Sequence, residues 1–141
     1  MWVSDSTESI KWYRKAAELG DAESAGKVAK AIDEGDTKGS AKEMMDYYLQ
    51  ASVLKQPEVL YRISNLYKTG YKEIPQDNAK SMDYLRQAAE LGDPDAMFDL
   101  GIRYEKGDGV VSNTQTALQW INKAADAGHD KAQRYRKQLR Q

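Results

Sequence analysis

The chain has 141 residues, of which 30% are charged and 40% are hydrophobic, and its formal net charge is −1. This length allows one domain with a buried core, and the near-neutral charge gives no general attraction to nucleic acid or to an anionic membrane. The absence of cysteine excludes disulfides, thiolate zinc sites and cysteine nucleophiles. No apolar run reaches the 18 residues of a membrane span. We therefore expect a soluble protein without membrane insertion, either cytoplasmic or, if a leader was removed, periplasmic.

An internal repeat is the strongest feature of the sequence. The hexapeptide AAELGD occurs at 16–21 and again at 88–93, and weaker copies begin at Ala51 and Ala124. The four copies start 35, 37 and 36 residues apart. Four positions before each copy stands an aromatic residue, namely Trp12, Tyr47, Tyr84 and Trp120. Recurrence at this period predicts a repeat protein, in which stacked units bury a continuous core. We expect the aromatic column to belong to that core.

Each repeat is predicted to contain two helices. In the clearest copy, Ala96, Leu100 and Tyr104 recur at i, i+4 and i+8 on one helical face, and Gly107 then ends the helix. Pro57 and Pro94 stand where such helices begin, because proline is well tolerated in the first turn. In chain order, helices are expected at about 6–19, 22–34, 40–54, 57–69, 77–91, 94–106, 113–127 and 130–139.

The repeat register also divides the chain. We expect a single domain made of a half-repeat at 1–20, repeats at 21–56, 57–92 and 93–128, and a C-terminal capping helix at 129–141. The last helix is polar, as the outer face of a capping element requires. The first repeat is present only as its second half, so a naturally short form and a part of a longer protein both remain open.

The segment LGIRYEKGDGVVSNTQTALQWINKAADAGHDKA at 100–132 resembles the Sel-one-like repeat (SLR), a relative of the tetratricopeptide repeat. The resemblance extends over nearly the whole chain and is weakest at 39–56. It implies an all-α fold, a right-handed α-solenoid of antiparallel helix pairs with about eight helices in repeats of 35–37 residues. Members that bridge each helix pair with a disulfide are excluded as close relatives, because this chain has no cysteine.

Residues suited to catalysis are scarce. His129 is the only histidine, and we expect it to be an exposed turn residue, because a general base or a metal ligand needs an oriented partner. Asp33, Glu34 and Asp36 are interpreted as a solvated helix end rather than a calcium site. The GDG turn at 107–109 lacks the GK[ST] that completes a phosphate loop. We therefore predict no enzymatic activity, no cofactor and no metal site.

A basic cluster lies in the C-terminal helix, formed by Lys131, Arg134, Arg136, Lys137 and Arg140. Nucleic-acid binding would need a broad basic field, which a chain of balanced charge lacks. We interpret the cluster as a solubilising cap, with contact to an acidic partner as the alternative. No nucleic-acid partner is expected.

Candidate binding residues follow from the resemblance, which implies that the first helix of each pair lines a concave face. The positions that flank its core columns are Glu58, Tyr61, Asn65, Lys68, Asp95, Phe98, Ile102, Glu105, Lys131 and Arg134, with Lys30 and Asp33 at the opposite end. Tyr61, Phe98 and Ile102 are large apolar residues at positions that the fold does not require, and such residues can anchor a peptide or helix. The alternative is that Tyr61 and Phe98 only pack against adjacent helices.

The resemblance and the missing catalytic chemistry together favour an adaptor that binds a partner protein or peptide on the concave face, as a monomer or weak dimer. One alternative is a bacterial immunity protein or regulator that blocks a partner toxin or enzyme. Another is a scaffold fragment of a longer envelope or signalling protein. An enzyme or small-ligand binder would instead need a deep pocket with converging titratable groups.

Overall fold

A computed structural model describes the backbone of residues 2–139 and the side chains of residues 8–139. Over this range the chain forms eight α-helices: α1 (Trp2–Glu18), α2 (Ala22–Asp33), α3 (Ala41–Ala51), α4 (Pro57–Thr69), α5 (Asn78–Glu90), α6 (Pro94–Lys106), α7 (Thr114–Asp126) and α8 (Asp130–Leu139). The predicted helices are confirmed to within a few residues, with two differences. Helix α1 begins at Trp2 and not near residue 6, and α3 ends at Ala51, followed by a 3-10 turn at Ser52–Leu54.

The helices form the predicted right-handed solenoid of antiparallel pairs. Each helix packs mainly against its neighbours in sequence, and the most extensive contacts lie within the pairs α2–α3, α4–α5 and α6–α7. The first helices of the repeats, α2, α4, α6 and α8, follow one another along one face, which we call the inner face. The second helices, α1, α3, α5 and α7, form the outer face.

Side-chain caps fix where several helices begin. Asp77 accepts a hydrogen bond from the backbone N–H of Lys80 at 3.0 Å, so Asp77 is the N-cap of α5. Ser40 accepts from the backbone N–H of Glu43 in the same way at the start of α3. These contacts satisfy backbone donors that have no partner inside a helix. Proline occupies the first turn of α4 and of α6, as predicted.

Two columns of the repeat form the centre of the core. Val28, Ile63 and Leu100 are fully buried, and the next column, Ala29, Ser64 and Gly101, is small and buried. A Cβ atom at Gly101 would lie 2.7 Å from Cγ1 of Ile121 and 3.0 Å from the backbone oxygen of Ala117. Helix α7 therefore contacts the backbone of α6 directly, which explains why the smallest side chains occupy this column.

The aromatic column lies in the core only in part. Tyr47, Tyr84 and Trp120 are half-buried against core clusters, and Tyr84 stacks on Tyr67 of the preceding helix with ring centroids 6.1 Å apart. Trp12 does not follow them, because 63% of its surface is exposed. Its helix, α1, is the first described helix, so no preceding inner helix covers the tryptophan. The expectation that Trp12 is a core residue is wrong.

The close approach at Gly101 gives a direct test. Gly101→Ala should lower the free energy of unfolding by about 1–3 kcal/mol, because the new methyl group overlaps Ile121 and the α7 backbone. Gly26→Ala is the matched control, since its Cβ would lie at an ordinary 3.4 Å from Cβ of Ala51 and alanine favours the helix by about 1 kcal/mol. Urea denaturation of both variants measures the difference. Equal stability of the two variants would contradict the direct backbone contact.

Candidate functional site

Three open cavities lie along the inner face, with volumes of about 620, 560 and 250 Å³. The cavity of about 620 Å³ lies among α2, α3 and α4. The cavities of about 560 and 250 Å³ share Phe98 and Asp99 and so adjoin each other between α4, α6 and α8, including the turns that precede α8 and follow α6. We call these two adjoining cavities together the groove.

Most of the predicted binding residues line the groove. Tyr61, Asp95, Phe98, Lys131 and Arg134 surround the cavity of about 560 Å³. Lys68 and Ile102 join Phe98 around the cavity of about 250 Å³. Three predicted residues lie elsewhere: Glu58 lines the cavity among α2, α3 and α4, whereas Asn65 and Glu105 line none of the three. Lys30 and Asp33 also line the cavity that contains Glu58.

Tyr61 and Phe98 are half-buried between the core and the groove. The Tyr61 hydroxyl donates a hydrogen bond to Oδ2 of Asp99 at 2.6 Å, and burial followed by this bond raises the pKa of Tyr61. Phe98 stacks on His129 with ring centroids 4.9 Å apart, and it meets Tyr135 in an edge-to-face contact with ring centroids 6.3 Å apart. Each aromatic ring thus packs against neighbouring helices and also contributes surface to the groove. Their role in binding stays a prediction.

His129 differs from the expected exposed turn residue, because only 13% of its side chain is exposed. Its Nδ1 atom accepts a hydrogen bond from the backbone N–H of Ala132 at 3.1 Å, so it caps the start of α8. The hydrogen atom is therefore on Nε2, which donates to Oδ1 of Asp95 at 2.9 Å. His129 joins α6 to α8 and supports the ring of Phe98. The sequence alone did not predict these contacts, because it does not show which residues lie next to each other in space.

Asp33 also departs from the sequence interpretation, which placed it on a solvated helix end. Its carboxylate accepts hydrogen bonds from Nε and Nη2 of Arg62 at 2.7 and 2.8 Å, and from the Tyr48 hydroxyl at 2.6 Å. Burial raises the pKa of Asp33, but the hydrogen bonds from Arg62 and Tyr48 outweigh it and bring the pKa below the usual 3.8. Glu34 and Asp36 are exposed, as expected.

Hydrogen bonds to carboxylates join every neighbouring pair of helices on the inner face. The three bridges are Arg62–Asp33 between α4 and α2, Tyr61–Asp99 between α4 and α6, and His129–Asp95 between the start of α8 and α6. Hydrogen bonds that involve a charged group are among the stronger ones in proteins. The bridges therefore fix the spacing of the inner helices and the width of the groove.

Arg103 is a groove residue that the sequence analysis missed. It is only 5% exposed and lines the cavity of about 250 Å³, and burial lowers the pKa of its guanidinium. Its Nε atom is buried and has no hydrogen-bond partner among the described residues. In the two preceding repeats the same position holds Ala31 and Leu66, which are buried and apolar. An arginine stands here in a column that is otherwise apolar and buried. This sequence feature could have identified Arg103.

Neither a metal-ligand cluster nor a membrane-spanning helix occurs among the described residues. No group of three histidine, aspartate or glutamate side chains among residues 8–139 is placed to hold a metal ion. Within residues 2–139, no helix has the length and apolar character needed to cross a membrane.

Comparison with protein families identifies the repeat. The family model of the Sel1 repeat matches residues 3–21, 57–93 and 94–129. The chain belongs to the Sel1-repeat family. The resemblance to Sel-one-like repeats is thus confirmed. The matches omit residues 22–56, which contain the degenerate copy, although α2 and α3 form a Sel1-like helix pair there.

Solved Sel1-repeat structures are similar in fold. A protective antigen of uropathogenic Escherichia coli with an SLR fold has a TM-score of 0.78 and 26% identity, covering 88% of this chain and 27% of the antigen. A Sel1 repeat protein of Oxalobacter formigenes has a TM-score of 0.76 and 30% identity, covering 89% of this chain and 51% of that protein. This chain thus spans about a quarter and about half of these relatives.

Two further likenesses concern the fold alone. Cysteine rich protein B of Helicobacter pylori has a TM-score of 0.70 and 24% identity, covering 94% of this chain and 95% of that protein. An immunity protein of Pseudomonas aeruginosa has a TM-score of 0.51 and 24% identity, covering 87% of this chain and 45% of that protein. No curated protein matches the sequence.

The Asp33 cluster predicts a specific pH dependence of stability in this Sel1-repeat protein. Asp33→Asn should lower the free energy of unfolding by about 1–2 kcal/mol at neutral pH, because Arg62 loses its charged acceptor and is itself partly exposed. The folded-state pKa of Asp33 is lowered, so its contribution is complete above the usual pKa of 3.8 and is lost as the pH falls through the folded value.

Denaturation of wild type and variant from pH 7 to pH 2 measures this contribution, and the difference between them should shrink below about pH 4. The control is Asp36→Asn, because Asp36 is exposed and should show little change. A difference for Asp33→Asn that stayed constant down to pH 2 would show that the ion pair is not its cause.

Proposed function

We propose that this Sel1-repeat protein is a non-enzymatic interaction module, and that a segment of a partner protein binds in the groove between α4, α6 and α8. Sel1-repeat solenoids are typically protein-interaction modules, and solenoids of this kind use extended inner surfaces for binding. Fold alone does not determine function, which depends on the residues of the groove itself.

The observation that carries the proposal is the aromatic floor of the groove. Tyr61 and Phe98 both line the cavity of about 560 Å³ and are held in place by Asp99 and His129. Aromatic residues with fixed positions and partly exposed surfaces are frequent anchors at protein interfaces. The open shape of the cavity suits side chains of a peptide or helix better than an enclosed small molecule, for which deeper sites are usual.

Charged residues at the edge of the groove add orientation. Lys131 and Arg134 are exposed on α8, line the same cavity and form no ion pair with a described residue. Such charges at an interface edge change association rates and orientation more than affinity. We expect the partner to be a protein or peptide, and the chain itself to act as a monomer or weak dimer.

A second candidate function is neutralisation of a partner toxin or enzyme by a bacterial immunity protein. The fold is shared with the immunity protein of Pseudomonas aeruginosa, and this shared fold is the observation in favour. The proposal predicts that the partner is an enzyme and that binding abolishes its activity. A gene for a toxin-like enzyme beside the gene for this chain would be the first observation to seek.

The groove proposal is tested by affinity capture from the native host followed by mass spectrometry. Lys131→Glu combined with Arg134→Glu should deplete the captured partner at least tenfold, because reversal of both charges replaces attraction by like-charge repulsion, which costs much more than loss of an edge charge. Both side chains are exposed, so their reversal leaves the packing intact. Phe98→Ala should deplete the same protein by removing the aromatic surface.

The control reverses two exposed lysines of the outer face, Lys11→Glu with Lys42→Glu, and should leave the captured partner unchanged. Circular dichroism verifies that all variants are folded. A partner recovered in equal amount with folded groove variants and with the control would place binding on another surface.

A further inference from the structure

We propose that the end of the groove at Arg103 binds the carboxylate of an aspartate or glutamate side chain in the partner segment. The proposal rests on the proposed function insofar as the occupant is a segment of a protein, and it adds the chemistry of that segment. The site is the cavity of about 250 Å³, which is lined by Lys68, Phe98, Asp99, Ile102, Arg103, Lys106 and Asp108.

The guanidinium of Arg103 is buried, and its Nε atom has no hydrogen-bond acceptor among the described residues. Arg103 is only 5% exposed and lines the cavity. The carboxylates of Asp108 and Asp99 attract the charge of Arg103, but no ion pair between described residues includes it. A buried charge without a hydrogen-bonded partner destabilises a protein, because it loses hydration without compensation. A carboxylate entering the cavity would pair with the charge of the guanidinium, in the forked geometry that arginine favours.

The fold does not need a charge at the position of Arg103. The equivalent residues of the two preceding repeats are Ala31 and Leu66, which are 8% and 3% exposed. Both contribute to the core with apolar side chains, so the solenoid forms without an arginine there. The positive charge of Arg103 is therefore a property of this one cavity and not of the repeat.

Basic groups without a hydrogen-bonded partner outnumber acidic ones in and beside the groove. The carboxylates that already accept hydrogen bonds from neighbouring side chains are Asp95, Asp99, Glu105 and Asp108. The hydrogen bond from Lys68 and its positive charge also lower the pKa of Asp108. The groove residues that have no such bond to a described residue are one carboxylate, Asp130, and four basic residues, Arg103, Lys106, Lys131 and Arg134. The unmatched groups are thus predominantly cationic, which favours an acidic partner over a basic one.

Apolar neighbours define the rest of the segment. Phe98 and Ile102 line the same cavity as Arg103 and are half-buried, so part of their surface is available beside the guanidinium. An acidic residue with an apolar residue next to it would satisfy both features. Burial of the apolar contact also excludes water from the ion pair and strengthens it.

The probe for the test is a displayed library of random linear peptides, selected for binding to the wild-type protein. Selected peptides should share an aspartate or glutamate next to an apolar residue. The strongest binder is then synthesised in two forms that differ only by Glu→Gln or Asp→Asn at the shared position. Fluorescence anisotropy should show affinity at least tenfold weaker for the neutral form, and Arg103→Met should weaken the acidic form equally.

The matched control is Arg136→Met, which also replaces an arginine by methionine. Arg136 lies on α8 outside the groove and donates a hydrogen bond to Asp126 at 2.7 Å. It should leave peptide affinity unchanged. Arg103→Lys keeps the charge and loses the forked geometry, so its affinity should lie between wild type and Arg103→Met. In a double-mutant cycle, the effects of Arg103→Met and of the neutral peptide should not add, because both remove the same contact.

A second measurement separates binding from a structural role. Arg103→Met should raise the thermal midpoint of the free protein by about 3 °C or more, because an unmatched buried charge is replaced by an apolar side chain of similar size. A lower midpoint would show that the chain itself satisfies the arginine and would overturn the proposal.

The peptide outcomes distinguish this inference from the proposed function. Peptides that lose binding with Lys131→Glu and Arg134→Glu, but bind Arg103→Met as tightly as wild type, would overturn the carboxylate site and leave the groove proposal standing. Selected peptides that bind independently of all groove substitutions, or a library that yields no binder, would contradict both.

Discussion

The solenoid depends on how closely the two helices of each pair approach each other. At Gly101 the backbone of α6 lies against Ile121 and the main chain of α7, with no room for a methyl group. Ala29 and Ser64 occupy the same position in the other pairs and are completely buried. This approach brings the columns of Val28, Ile63 and Leu100 into the core, and it leaves the opposite side of each inner helix free to form the inner face. A thin core with small residues at its centre also accounts for a stable fold in a chain with 30% charged residues.

The residues that form the groove come from columns in which the repeats differ. One such column contains Gly26, Tyr61, Phe98 and Arg134 in successive inner helices. Glycine at its first position leaves room for the cavity among α2, α3 and α4, the two aromatic residues form the floor of the groove, and the arginine lies at its edge. The backbone geometry, which is repeated in each unit of the solenoid, thus presents four different side chains in a row. Binding chemistry can change along this row without any change in the core.

The fold could be predicted from the sequence because the residues that determine it recur periodically. Small, apolar and aromatic residues recur at fixed spacing, and local caps and prolines mark the helix ends, so element positions and pairing followed directly. The same information predicted which helix faces would lie together, and seven of the ten candidate residues do line the groove. Hydrogen bonds between residues far apart in sequence were not predictable in this way. Asp33 with Arg62 and Asp95 with His129 are separated by 29 and 34 residues, and their pairing depends on side-chain directions that only the folded chain defines.

The carboxylate bridges across the inner face have a mechanical consequence. Helical solenoids can bend and twist along their length, and the deformation that needs the least energy changes the distances between successive repeats. In this chain each such distance on the inner face is fixed by a short hydrogen bond, Arg62–Asp33, Tyr61–Asp99 or His129–Asp95, so that opening the curve would stretch these bonds. The inner face of the solenoid therefore resists bending more strongly than it would with helix packing alone. A stiff receptor loses little conformational entropy when it binds, so more of the contact energy in the groove remains as affinity.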